Sequence, residues 1–266
     1  MSRIGIRSFA RNVHRKVSGE TGVDVSEADG VRSLHLGSST VQSSMRITAP
    51  FELVLSYTRG IMLFLLFKPQ AREILTIGLG GASIPKFIHQ HLPELRSRVV
   101  ELSPQVIAVA RSHFHLPPDD ERLQVITGDG AAYLREHEAT ADVLILDAFD
   151  SHGLAPELSS QDFFDSCAAS LADDGMVAIN LWGSDKNFDV YLQRIEQSFD
   201  GRVLMLPTGR PGNIVVFGFM RVPGDLRWAS LRERAKALET SYGVEFLEYV
   251  ERLRDNNPNT SNRLML

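Results

Sequence analysis

From Pro69 onward the chain alternates short apolar runs with helix-periodic stretches, and this alternation restricts the fold more than any other feature of the sequence. Ile74-Leu75-Thr76-Ile77, Val99-Val100-Glu101, Leu123-Gln124-Val125-Ile126, Val143-Leu144-Ile145-Leu146 and Met176-Val177-Ala178-Ile179 read as five strands. Helices are expected between them, up to about His91, over 104–114, over 131–137 and over 160–172. Strands that are mostly apolar and separated by helices belong to a parallel sheet covered on both faces. Segments near 202–206 and 214–220 add a terminal antiparallel pair, and the charged, helix-periodic stretch 226–254 follows. The expected class is α/β.

The rest of the chain divides around that unit. Residues 1–22 read as a basic tail, with Arg3, Arg7, Arg11 and Arg15 at four-residue spacing. An organellar transit peptide shares this character, but a solvated basic segment is the plainer reading. Residues 23–68 form a small unit: three strands over 23–26, 31–36 and 41–45, then a helical stretch over 50–67. The strand unit, roughly 25 residues, is too small to fold alone. Residues 69–254 are expected to form one larger domain, the place for any catalytic site, and 255–266 are expected to fray. Lys and Arg total 28 against 33 Asp and Glu, a net charge of −5. Nucleic-acid binding usually needs a basic surplus, so no such partner is expected. The longest apolar run, Ile61 to Phe67, is far short of the roughly 20 residues of a bilayer span, so no membrane partner is expected either. The single cysteine, Cys167, excludes an intrachain disulfide framework and a multi-thiolate zinc site, and suits a reducing, cytoplasmic setting.

In an open parallel sheet, ligands bind beyond the carboxyl ends of the strands, where the strand order reverses. Those ends carry Gly78-Leu79-Gly80-Gly81, then Glu101, then Asp129-Gly130, then Asp147-Ala148-Phe149-Asp150. A glycine turn lets the backbone approach a ligand closely. Glu101 stands where such folds place a carboxylate that grips ribose hydroxyls, and Asp129 can accept a hydrogen bond from an adenine amino group. Each also has a structural reading: Gly80 and Gly81 as a tight turn, Glu101 as a cap for the helix near Pro104, Asp147 and Asp150 as loop residues bonded to backbone amides. Jointly, four marked strand ends outweigh the structural readings; a nicotinamide-binding domain shares the glycine turn and the acid, and Asp129 with the turn's late place in the chain favours an adenosyl pocket instead. A carboxylate at Asp147 or Asp150 could hold a cationic substrate and take a proton from an amine. The histidines match no metal-ligand spacing, so no metal is expected.

On these residues the chain resembles the spermidine synthase (polyamine aminopropyltransferase) family from about Val23 to Met220, as a divergent member. Leu34-His35-Leu36-Gly37 followed by Gln42 is similar to the family's hairpin motif, and Ser56-Tyr57 to its tyrosine ahead of the glycine-rich strand. Ile74 to Gly80 resembles its donor-binding turn, and Val100-Glu101 its ribose-binding acid. Gly128-Asp129-Gly130 resembles its adenine-facing Gly-Asp-Gly. Asp147-Ala148-Phe149-Asp150 is similar to its Asp-Ser-Ser-Asp loop, and Pro207-Thr208 with Gly212 and Gly218-Phe219 to its late elements.

The resemblance implies a Rossmann-like fold of the class I S-adenosylmethionine-dependent methyltransferase type, preceded by a small antiparallel β unit and assembled as a homodimer or homotetramer. It implies decarboxylated S-adenosylmethionine as co-substrate, with no prosthetic group, and an amine such as putrescine as acceptor. Gln42, Gly78, Gly80, Glu101, Asp129, Gly130 and Asp147 would bind the donor. Tyr57, Asp147 and Asp150 would bind the amine, and Asp147 would take its proton. Three positions depart from the family pattern. Gly81 replaces the aspartate that binds the donor's amino group, Thr58 follows the tyrosine in place of His or Gln, and Gly209-Arg210 replaces a late tyrosine. Two alternatives stay open: methyl transfer from S-adenosylmethionine, for which Gly81 would leave room for the donor's carboxylate, and a non-catalytic adenosyl-ligand binder.

Overall fold

A computed structural model describes residues 15–16, 22–150, 153–154, 156–209 and 212–266. Most of the basic tail and Arg210 lie outside the described residues. The N-terminal sheet joins β1 (Arg15–Lys16), β2 (Val23–Ala28), β3 (Val31–Leu36) and β4 (Val41–Arg46) in sequence order, all antiparallel. Two short helices follow, α1 (Ser56–Ile61) and α2 (Phe64–Phe67). The single helical stretch expected over 50–67 is thus shorter and divided. Every residue from Ile61 to Phe67 is buried, so packing, not an amphipathic period, sets the local geometry.

The alternating region builds β5 (Glu73–Ile77), α3 (Ser83–His91), β6 (Arg96–Glu101), α4 (Pro104–His113), β7 (Leu123–Thr127), α5 (Gly130–Glu136) and β8 (Ala141–Leu146). A two-residue pair, β9 (Phe149–Asp150) and β10 (Gly153–Leu154), precedes α6 (Gln161–Ala169) and β11 (Leu171–Trp182). Then come α7 (Phe188–Ser198), β12 (Val203–Pro207), β13 (Asn213–Phe219), α8 (Trp228–Tyr242) and α9 (Phe246–Asn256). Local chemistry explains several starts. Ser103, Asp129 and Ser160 each accept a hydrogen bond from a backbone N–H in the first turn of α4, α5 and α6, and Pro104 opens α4 where its missing N–H costs nothing.

The main sheet runs β12-β13-β11-β8-β5-β6-β7. The five strands from β7 to β11 are parallel, and β13 pairs antiparallel with both β11 and β12. From β5 the chain winds outward through β6 and β7, then returns to place β8 on the other side of β5. The order therefore reverses between β5 and β8, and the crevice for a ligand opens there. One face of the sheet is covered by α1, α2, α3, α8 and α9, the other by α5, α6 and α7. Val25, Leu34 and Met45 of the small sheet share a core with Val99, Val106 and Phe114. The small unit thus buries its apolar face on the large one, as its size requires.

Three expectations need correction. β11 begins at Leu171, five residues earlier than the apolar run suggested, because Leu171 already pairs with Ala141 ahead of an irregularity in the ladder. The helix α7 was not anticipated. Residues 255–266 do not fray: Leu264 is fully buried, its N–H donates to Leu226 O at 3.0 Å, and Trp228 Nε1 donates to Thr260 O at 2.9 Å.

Candidate active site

One cavity of about 1100 Å³ opens at the reversal point. Gln42 and Tyr57 line it from the N-terminal unit, and Gly78 and Gly80 from the turn after β5. Glu101, Asp129, Gly130 and Asp147 line it from the ends of β6, β7 and β8. Asp150 lies in β9, where no side chain is described.

Backbone geometry accounts for the glycine turn. Gly78 has φ +94°, and a Cβ there would stand 2.3 Å from Asp147 O. The ends of β5 and β8 come this close because Asp147 N donates to Ile77 O at 2.9 Å. Only glycine permits both the dihedral and the approach. Gly81 is closed for another reason. A Cβ there would stand 2.7 Å from Ser43 Oγ and 2.9 Å from Phe114 Cδ1. The missing side chain at Gly81 therefore opens no room for a donor carboxylate; β4 and the end of α4 fill that space.

Glu101 accepts hydrogen bonds from Leu79 N at 2.9 Å and Ser103 N at 2.8 Å. Burial pushes its carboxyl above the usual value, and the backbone N–H groups of Ser103, Leu79 and Leu102 oppose that rise. A carboxylate has about four acceptor positions, so both its structural bonds and a ribose diol can be met together. Asp129 caps α5, accepting from Ala132 N at 2.9 Å through Oδ1.

Asp147 is held by side chains from two other elements. Asn180 Nδ2 donates to its Oδ1 at 3.0 Å and Tyr57 Oη to its Oδ2 at 3.3 Å. Burial pushes the carboxyl up to about 6, while the bonds from Asn180 and Tyr57 restrain the rise. The Tyr57 hydroxyl is raised well above its usual value, first by burial and then by the neighbouring Asp147. It also reaches Gln42 O at 3.3 Å. Tyr57 stays a donor throughout the ordinary pH range, and Asp147 is ionised at neutral pH yet basic for a carboxylate.

Sequence reasoning missed two side chains here. Asn180 and Asn213 are buried on β11 and β13, and Asn213 Nδ2 donates to Asn180 Oδ1 at 2.9 Å. The available signal was a lone amide within the apolar run Met176 to Trp182. The helix carrying Tyr57 is itself anchored. Arg59 Nε donates to both oxygens of Glu245, at 2.8 and 3.0 Å, and Tyr249 Oη to Ser56 O at 3.3 Å.

Residues 55–207 match the spermine/spermidine synthase domain. A polyamine aminopropyltransferase of Chromobacterium violaceum is 40% identical over 258 residues, covering 97% of this chain and 99% of that protein. This chain belongs to the spermine/spermidine synthase family. A second relative, the polyamine aminopropyltransferase of Neisseria meningitidis serogroup A, is 39% identical over 263 residues, covering 97% of this chain and all of its own length. The solved structure of a probable spermidine synthase from Corynebacterium glutamicum superposes with a TM-score of 0.70 at 18% identity, covering 98% of this chain and 100% of that one. That likeness shows a shared fold, with the small antiparallel sheet ahead of the mixed one. The turn after β5 is uncharged: Gly81 brings no carboxylate, and the hydroxyls of Ser43 and Ser83 meet beside it at 3.2 Å.

Proposed function

We propose that this chain transfers an aminopropyl group from decarboxylated S-adenosylmethionine to a polyamine such as putrescine, releasing methylthioadenosine. The observation that carries the reading is Asp147: a carboxylate at the reversal point, bonded by Tyr57 and Asn180, raised to about 6 and lining the large cavity. An attacking amine must lose a proton, and a desolvated carboxylate is suited to receive it. The freed nitrogen lone pair attacks the aminopropyl carbon beside the sulfonium. The carbon–sulfur bond breaks, its electron pair stays on sulfur, and the neutral thioether leaves.

Glu101 would hold the ribose and Asp129 the adenine, both beside Gly78, Gly80 and Gly130. Gln42 and Tyr57 would enclose the reacting end, and Asp150 would bind the acceptor's second ammonium, a role that rests on the resemblance. Donor and acceptor are both cations, so a shared cavity must supply negative charge against their desolvation. Glu101, Asp129 and Asp147 supply it here, with Glu157 at the rim.

The direct test is incubation with decarboxylated S-adenosylmethionine and putrescine, cadaverine or spermidine, followed by chromatography for methylthioadenosine. Its release with formation of the longer amine is expected. Absence of methylthioadenosine with all three amines, or methyl transfer from intact S-adenosylmethionine in its place, would overturn the reading.

A further inference from the structure

Asn180 presents two different ends to its surroundings. Its amide nitrogen faces Asp147 and its amide oxygen faces Asn213 Nδ2. Turned the other way, it would set an oxygen against a carboxylate oxygen, which disfavours the charged form of Asp147. An amide has nearly the same shape in either orientation, so shape alone does not choose between them. Asn213 Nδ2, which donates to the oxygen end, favours the observed orientation together with Asp147 itself.

Asn213 is well placed to do so. In the β11–β13 ladder Trp182 pairs with Asn213 and Asn180 with Val215, so the two asparagines are diagonal neighbours on one face. Asn213 is 7% exposed and Asn180 3%. The backbone of Asn213 is tied down by Thr208, whose N–H and hydroxyl both donate to Asn213 O at 3.0 Å. Thr208 in turn packs against α1: a Cβ on Gly60 would stand 2.6 Å from its Cγ2. The helix that brings Tyr57 to one oxygen of Asp147 thus abuts the corner that aligns the donor to the other.

We propose that Asn213 is a positioning residue for Asp147, acting through Asn180 by fixing the direction of its amide. The proposal rests on the aminopropyl-transfer reading only for its catalytic consequence; the ionisation of Asp147 can be read without turnover. Among the described residues, Tyr57 of α1 is the titratable side chain bonded to Asp147, Glu101 and Asp129 share its cavity from the ends of β6 and β7, Asn180 of β11 is neutral, and Arg59 of α1 is turned toward Glu245 of α9.

The experiment titrates the carboxyl carbons of labelled protein by NMR, with the Asp147 signal assigned by its loss in Asp147→Asn. Asn213→Ala is expected to move the Asp147 midpoint up by about one pH unit, a tenfold change in its ionisation constant. The acid limb of kcat/KM for transfer should move with it. In an Asn180→Ala background the same substitution should move neither, because the path through the amide is already gone. Asn213→Leu, which keeps the volume and removes the donor, provides the same reading should the alanine variant fold poorly. A midpoint unchanged in both variants, with only kcat lowered, would make Asn213 a packing residue and overturn the proposal. An equal shift in the Asn180→Ala background would overturn the route through Asn180. Wild-type protein that shows the raised midpoint but releases no methylthioadenosine would count against the transfer reading alone.

Discussion

Asp147→Asn should lose activity and gain stability at once, because the same burial that suits this carboxylate to the proposed role of base also makes it costly to fold. Its carboxyl rises from 3.8 to about 6 in the folded protein. Between those values the folded state binds more protons than the unfolded state, so stability falls as pH rises through that window. Below about 4 the group is protonated in both states and contributes nothing. Above about 6 the full cost is present. Two pH units at about 1.4 kcal/mol each give a ceiling of about 3 kcal/mol. Asp147 is only partly shielded from the open cavity, so about 1–2 kcal/mol is expected at pH 8. For a domain of this size each kcal/mol moves Tm by about 2–4 °C. Calorimetric scans of both proteins from pH 4 to pH 8 should therefore diverge by about 2–8 °C at the alkaline end and converge at the acid end. Turnover should fall by about 10²–10⁴-fold, the usual contribution of a positioned base. A Tm difference independent of pH would refute the raised carboxyl, and a fully active variant would refute its role as base.

Gly81→Asp, which restores the residue usual in the family, should cost about 1–3 kcal/mol of stability in urea titration, since even its Cβ meets Ser43 and Phe114; tighter donor binding at unchanged stability would contradict that packing. Asp129→Ala should lose the α5 cap, about 0.5–2 kcal/mol, and weaken methylthioadenosine binding in calorimetry; weakened folding with unchanged affinity would reduce Asp129 to a cap.

The parts of this molecule legible in the sequence are those where a strand stops. Gly78, Glu101, Asp129 and Asp147 each interrupt an apolar run, and parallel topology carries such interruptions to one edge of the sheet. The side chains that went unread lie inside strands. Asn180 matters because Asp147 is its neighbour one strand away, and Asn213 because of an antiparallel register that no local pattern reveals. Gly81 shows the opposite limit. Read in one dimension it is a missing charge; in three dimensions its position is already occupied by Ser43 and Phe114 from other elements. The helix α7 was missed although it carries a signal: Phe188, Tyr191, Leu192, Ile195 and Phe199 follow helical spacing. The ordered tail was not legible, because its buried apolar residue, Leu264, has no periodic companion, and its other ties are hydrogen bonds such as that from Trp228 to Thr260.

The pairing of Arg59 with Glu245 has a consequence in time. It joins residues 186 apart, and the companion bond from Tyr249 to Ser56 joins residues 193 apart. The cavity wall proposed to hold the donor is built from strands complete by Asp147, whereas the clasp on the Tyr57 helix is made by α9. At ribosomal speeds of about 5–20 residues per second, the roughly 100 residues between them take about 5–20 s to synthesise. In a nascent chain the strand ends that carry Gly78, Glu101, Asp129 and Asp147 are thus made well before the residues that fasten the Tyr57 helix.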